Sequence, residues 1–151
     1  MPVGQWHLLC SCEQGHLELL QWLREGPNPC PWYADTCEAA AYEGNLEMLQ
    51  FLREGTDPCP WGEKTCMHAA EGGHLEALQW LRQGPDQCPW DERTCEAAGK
   101  GGHLDILQFA REGPDPCPWD EDIRPARVAR EDPNTIANYF FTVKMTRNSS
   151  M

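Results

Sequence analysis

The chain has few basic residues, no long apolar run and a start unlike a signal peptide. Its 12 lysines and arginines are outnumbered by 24 aspartates and glutamates, for a formal net charge of −12. Phosphate binding needs clustered Lys and Arg, so this charge excludes nucleic acid as a partner and favours a basic protein. No stretch approaches the roughly 20 apolar residues of a membrane helix. We therefore expect no membrane contact and a cytoplasmic location, with the nucleus not excluded.

The side chains that usually carry catalysis or bind metals are not arranged for either task. No nucleophile stands beside a base, and no glycine-rich loop follows a strand, so we expect no enzymatic activity and no cofactor. A zinc site usually contains two close ligand pairs, whereas Cys59 and Cys66 are seven residues apart. The nine cysteines are odd in number, and equivalent cysteines of stacked helices lie roughly 8 to 10 Å apart. We therefore expect thiols, with neither a metal site nor disulfides.

One interval of 29 residues organises the chain. The tripeptide Cys-Pro-Trp follows it, at residues 30–32, 59–61, 88–90 and 117–119. A fixed interval indicates a stack of equal units rather than one globular core. We therefore predict a single repeat domain over residues 1–145 and a flexible tail over 146–151. The predicted units are 1–29, 30–58, 59–87, 88–116 and a degenerate C-terminal cap at 117–145.

The third unit shows most clearly that each unit contains two helices. Cys66, Ala69 and Ala70 share one face of a first helix over about residues 63–71, and their small size lets neighbouring helices approach closely. Gly72 and Gly73 end this helix. A second helix over about 74–83 has an apolar arc too wide for an ordinary surface helix. The pattern predicts an all-α fold, an αα solenoid of about five stacked helix-turn-helix units.

Aromatic residues recur in two columns at the same interval. One lies in the second helix and the other in the Cys-Pro-Trp loop. Each such side chain can bury about 150 to 250 Å². Strict periodicity favours packing between units over ligand binding. The two columns are Trp22, Phe51, Trp80 and Phe109, and Trp32, Trp61, Trp90 and Trp119.

Both ends of the chain depart from the pattern. The first unit is entered late and has an atypical first helix at about residues 6–13, as expected of an N-terminal cap or the cut end of a longer array. In the last unit, Arg124 and Arg127 replace apolar residues. Asp132 and Pro133 then form a helix start, which predicts a capping helix over about 133–144.

The paired helices resemble the ankyrin repeat. The features that carry the resemblance are Ala97-Ala98 in the first helix, the turn Gly102-His103-Leu104 and the connector Gly113-Pro114-Asp115-Pro116. Short units with a Cys-Pro-Trp signature are similar to the divergent ankyrin arrays of protists and large DNA viruses. The family's unit has 33 residues. The resemblance implies that the missing residues come from the connector, with hairpin loops truncated, and that the function is protein binding.

Positions that differ between units are the candidates for specific contacts, because the units share one scaffold. We predict a non-enzymatic, monomeric protein–protein interaction scaffold that binds a partner, basic by charge, on its concave and loop surface. Aromatic side chains there are candidate anchors. The predicted protein-binding residues are Tyr33, Glu38, Tyr42, Glu63, Lys64, Met67, Asp91, Glu92 and Arg93.

Two other functions stay open at this point. The late entry of the first unit and the short cap suit a fragment or decayed copy of a larger ankyrin array that has no partner of its own. An adaptor that delivers a client to a ubiquitin ligase is also compatible with the resemblance.

Overall fold

The computed structural model describes residues 16–118, and these form seven α-helices without a strand. The predicted all-α stack is confirmed. The helices predicted at about 6–13 and 133–144, and nearly all of the fifth unit, lie outside the described residues, and the unit boundaries stay a prediction. The helices are α1 Leu17–Glu25, α2 Ala34–Tyr42, α3 Leu46–Arg53, α4 Glu63–Gly72, α5 Leu75–Leu81, α6 Glu92–Gly101 and α7 Leu104–Glu112.

Helices α2, α4 and α6 are the first helices of three successive units and pack closely side by side. Their contacting faces carry small residues, so the helix axes can come close together. In α4 these are Thr65, Cys66, Ala69 and Ala70, all fully buried. The second helices α3, α5 and α7 carry larger core residues such as Leu78 and are less closely packed with one another. The stack therefore curves towards its first helices, which form the concave side.

The turn between the helices of the third unit forms as predicted, but the second helix is shorter. Gly73 ends α4 in the left-handed conformation, with φ +80°. Helix α5 ends at Leu81, two residues before the predicted end. Pro85 has no N–H with which to continue the helical hydrogen bonds. The Leu81 carbonyl instead accepts a hydrogen bond from the Cys88 N–H at 2.9 Å, so a residue of the connector satisfies this carbonyl at the end of the helix.

The turn histidines His74 and His103 contact the unit before them. The Nε2 atom of His103 lies 3.3 Å from the carbonyl oxygen of Glu71. A Cβ atom added to Gly73 or Gly101 would come within 2.5 Å of the His103 ring, so the ring occupies space that these glycines leave. The turn histidine is therefore a packing residue between units.

An arginine near the end of each second helix joins its unit to the next. Arg82 donates from Nη1 to the carbonyl oxygen of Cys88 at 2.6 Å, and its guanidinium carbon lies 4.2 Å from the centroid of the Trp90 ring. Its Nη2 atom donates to the carboxylate of Asp115. Cation–π contact and charged hydrogen bonds both favour this arrangement. The same three kinds of contact are made by Arg24 and Arg53.

Within residues 16–118 the ring-to-ring contacts of the two aromatic columns lie within units, whereas the predicted contact between units is made by the loop tryptophans with an arginine. Trp61 and Trp80 of the third unit meet edge to face with their ring centroids 6.0 Å apart. Trp22 is 71% exposed. In later units a loop tryptophan pairs with the residue equivalent to Trp22, but in the first unit the sequence has Val3 in place of that tryptophan. The loop tryptophans reach the preceding unit through the arginine stacked on them. The other ring pairs are Trp32 with Phe51 and Trp90 with Phe109.

Candidate functional site

A groove runs between the first helices α4 and α6 on the concave side. It encloses about 430 Å³. The two helices present different side chains to it at equivalent positions, so its chemistry is particular to this pair of units. It is lined by Met67, Glu71, Arg93, Glu96, Ala97, Lys100 and Gly101.

The groove has an apolar floor and a charged rim. Met67 is half-buried against the core and Ala97 is buried, while Glu71 and Lys100 are exposed. Lys100 Nζ lies 2.7 Å from Glu96 Oε1, one turn away on the same helix. With two acidic and two basic side chains in its lining, the groove does not concentrate the negative charge of the chain. A basic partner therefore stays a prediction that rests on net charge alone.

A second cluster lies beside the groove, between α2 and α4, and is centred on His68. Its Nε2 atom is 3.8 Å from Glu38 Oε2, and its Nδ1 atom is 3.3 Å from Glu71 Oε2. The Tyr42 ring, 48% exposed, meets the imidazole edge to face with centroids 6.1 Å apart. Because Glu71 also lines the groove, this cluster extends the polar surface of α4 to α2.

Four of the predicted binding residues lie in or beside the groove. Met67 and Arg93 line it, and Glu38 and Tyr42 belong to the His68 cluster. The structure therefore brings four of the predicted residues to one side of the stack.

The other predicted residues lie where the first helices begin, outside the lining of the groove. Tyr33 and Asp91 precede α2 and α6, and the Asp91 side chain accepts the Arg93 N–H at 3.1 Å as a helix cap. Glu63, Lys64 and Glu92 are exposed in the first turns of α4 and α6. The capping bond gives Asp91 a structural role, and a binding role for this group stays a prediction.

Four charged or titratable residues at the site are absent from the predicted set, namely His68, Glu71, Glu96 and Lys100. A signal for them was available. Counting 29 residues from Tyr42 gives Glu71 and then Lys100, three different side chains at one position of the first helix. His68 likewise replaces an alanine of the neighbouring units.

The buried cysteines between units are thiols in the structure. A hydrogen bond with the Cys88 side chain, together with burial, raises the pKa of the Cys66 thiol above its ordinary value. In the next pair, a hydrogen bond with Cys117 lowers the pKa of Cys95, while that of Cys117 is raised by the same bond and by burial. These thiols therefore interact across the boundary between units.

The raised pKa of Cys66 predicts a loss of stability in alkali. The folded chain keeps this proton, while the unfolded chain loses it above the ordinary value of 9.0, so the stabilisation is complete below pH 9.0 and decreases above it. We expect the difference in unfolding free energy between wild type and Cys66→Ala to shrink by about 1 kcal/mol from pH 9 to pH 10. Urea unfolding of both proteins with a reducing agent measures it. A constant difference would contradict the pKa shift.

Within residues 16–118 no group of three or more His, Cys, Asp or Glu side chains could hold a metal ion. None of the helices in this part of the chain is long and apolar enough to cross a bilayer.

The comparisons with known proteins agree with the helix pairs. Residues 37–82 match the family model described as ankyrin repeats (many copies). The match runs from α2 to the arginine that follows α5, and the same helix pair recurs beyond it in α6 and α7. Neither the curated proteins nor the solved structures gave a match.

Proposed function

Since this chain is an ankyrin-repeat protein, we propose that it is a non-enzymatic interaction module that binds a protein partner in the groove between α4 and α6. Ankyrin repeats are generally protein–protein interaction modules. The observation that supports this site is the 430 Å³ groove on the concave side, where side chains vary between units on a shared scaffold.

The composition of the groove suits a protein segment. Methionine, arginine and tyrosine are enriched in protein interfaces, and Met67, Arg93 and the nearby Tyr42 supply one of each. An apolar side chain of the partner would pack on Met67 and Ala97, while Glu71 and Lys100 would fix the register of its charged groups.

Two matched double variants test the groove. Met67→Lys with Glu71→Lys raises the net charge by three on the groove side. Glu47→Lys with Gln50→Lys makes the same change on exposed positions of the second helix α3. Both variants and the wild type are used to capture proteins from cell lysate, and the affinity of each captured protein is then measured. We expect the groove variant to lose at least tenfold in affinity, about 1.4 kcal/mol, and the α3 variant less than twofold.

The control separates the groove from the overall charge. Equal losses in the two variants would contradict the proposed site, because the charge change is the same. Circular dichroism and thermal unfolding verify that both variants are folded. If the folded wild type enriches no protein at all, the fragment of a larger array becomes the better interpretation.

A further inference from the structure

Three successive boundaries between units, from the second unit to the start of the fifth, each contain a pair of cysteines from different positions of the repeat. One lies in a first helix, and the other lies in the Cys-Pro-Trp loop of the next unit, 22 residues later. All six side chains are at most 1% exposed. The pairs are Cys37 with Cys59, Cys66 with Cys88, and Cys95 with Cys117.

The contacts of the middle pair cross each other. The Cys66 thiol donates to the carbonyl oxygen of Cys88 at 3.7 Å, and the Cys88 thiol donates to the carbonyl oxygen of Gly62 at 3.3 Å. Gly62 lies one helical turn before Cys66, so the Cys88 sulfur is placed on the face of α4 that carries Cys66. The Cys66 sulfur thus lies against Cys88, and the Cys88 sulfur lies against Gly62, one helical turn before Cys66.

The Cys37 and Cys59 pair repeats both of these contacts, and the Cys95 and Cys117 pair repeats the contact of the loop thiol. The Cys59 thiol donates to the carbonyl oxygen of Tyr33 at 3.3 Å, and the Cys37 thiol lies 3.9 Å from the carbonyl oxygen of Cys59. The Cys117 thiol donates to the carbonyl oxygen of Asp91 at 2.9 Å. The hydrogen bonds between side chains that raise the pKa of Cys66 and lower that of Cys95 agree with direct sulfur contact.

We propose that each of the three pairs is a dithiol that oxidises to a disulfide and covalently joins neighbouring units. The oxidant is a small disulfide such as glutathione disulfide. One cysteine thiolate attacks it, which forms a mixed disulfide and releases the first small thiol. The second cysteine then displaces the other small thiol. One protein S–S bond forms, the S–S bond of the oxidant breaks, and the two protons of the dithiol end on the two released thiols.

The middle disulfide would act on the groove. Cys66 belongs to α4, and Cys88 lies in the connector that leads into α6, so their bond would fasten together the two helices that form the groove. The oxidation itself does not depend on the proposed binding function.

Refolding in a redox buffer tests the proposal on the full chain. Because the dithiols are buried, the wild type is refolded from urea into mixtures of glutathione and glutathione disulfide, and a parallel sample stays in urea. Both are quenched with acid, alkylated, digested and mapped by mass spectrometry. We expect the ratio of disulfide to dithiol for each of the three pairs to be at least tenfold higher in the folded chain, because folding holds the two sulfurs together.

Two outcomes would overturn the proposal. In one, the folded chain is no more oxidised than the unfolded chain in the same buffer. In the other, the six cysteines are linked in a different pairing. The variants Cys66→Ala and Cys88→Ala serve as independent controls, since each should abolish the middle cross-link and leave the other two at their wild-type yield.

Discussion

Replacing Gly72 with alanine is expected to lower the free energy of unfolding by about 3 kcal/mol. A Cβ atom at this position would lie 2.3 Å from the carbonyl oxygen of Tyr42 and 2.6 Å from Cδ2 of His74. The first of these atoms belongs to the backbone of α2, so the contact can be relieved only if α2 and α4 move apart. The higher helix propensity of alanine offsets about 1 kcal/mol at most.

Gly26→Ala is the matched control for this substitution. Gly26 follows α1, has a φ of −74°, and an added Cβ atom would find nothing within 4 Å. Its replacement should change the unfolding free energy by less than about 0.5 kcal/mol. Urea unfolding followed by circular dichroism measures both variants. If Gly72→Ala unfolds at the same urea concentration as Gly26→Ala, then α2 and α4 do not approach each other closely at Gly72.

Gly72 shows how far the sequence could predict the fold. The double glycine correctly predicts the end of the first helix, since Gly73 adopts the left-handed conformation. Gly72 is still part of α4. Its lack of a side chain matters because α2, a helix of another unit, passes too close to leave room for a Cβ atom. The 29-residue interval predicts that units stack, but it does not say which backbone atoms approach each other.

The arginines and the cysteine pairs show the same limit. The interval marks Arg53 and Arg82 as clearly as it marks the tryptophans, yet arginines are mostly exposed in folded proteins and were not expected in the unit boundary. For the cysteines, the sequence analysis compared equivalent positions of neighbouring units, which are too far apart to form a disulfide. The structure instead brings together two different positions, such as Cys66 and Cys88, because each loop packs on the first helix of the unit before it.

The candidate site could be predicted in part. Comparing units identifies variable positions on the first helices, and the structure places Met67 and Arg93 in one groove. The same comparison also selects Glu63 and Glu92, which share one position of the repeat with Ala34 and are exposed in the first helical turns. Variation between units does not distinguish a groove from an ordinary exposed surface. That distinction requires the spacing of α4 and α6.

The second large expected effect on stability concerns Arg82, the arginine at the boundary between the third and fourth units. Arg82→Ala should lower the free energy of unfolding by about 3 kcal/mol, because it removes a charged hydrogen bond to Cys88 and the cation–π contact with Trp90. The side chain of Arg82 is only 8% exposed, so water does not fully replace these contacts. Urea unfolding gives the change.

Asp115→Asn and Arg82→Lys separate the contributions. The Asp115 side chain is 70% exposed, so neutralising it should cost less than about 1 kcal/mol. Lysine keeps the positive charge but loses the planar group that stacks on Trp90 while it donates to Cys88, so Arg82→Lys should recover less than half of the loss. Full recovery with lysine would mean that charge alone joins the units. A loss in Asp115→Asn as large as in Arg82→Ala would assign the stabilisation to the exposed ion pair instead of the buried stacking.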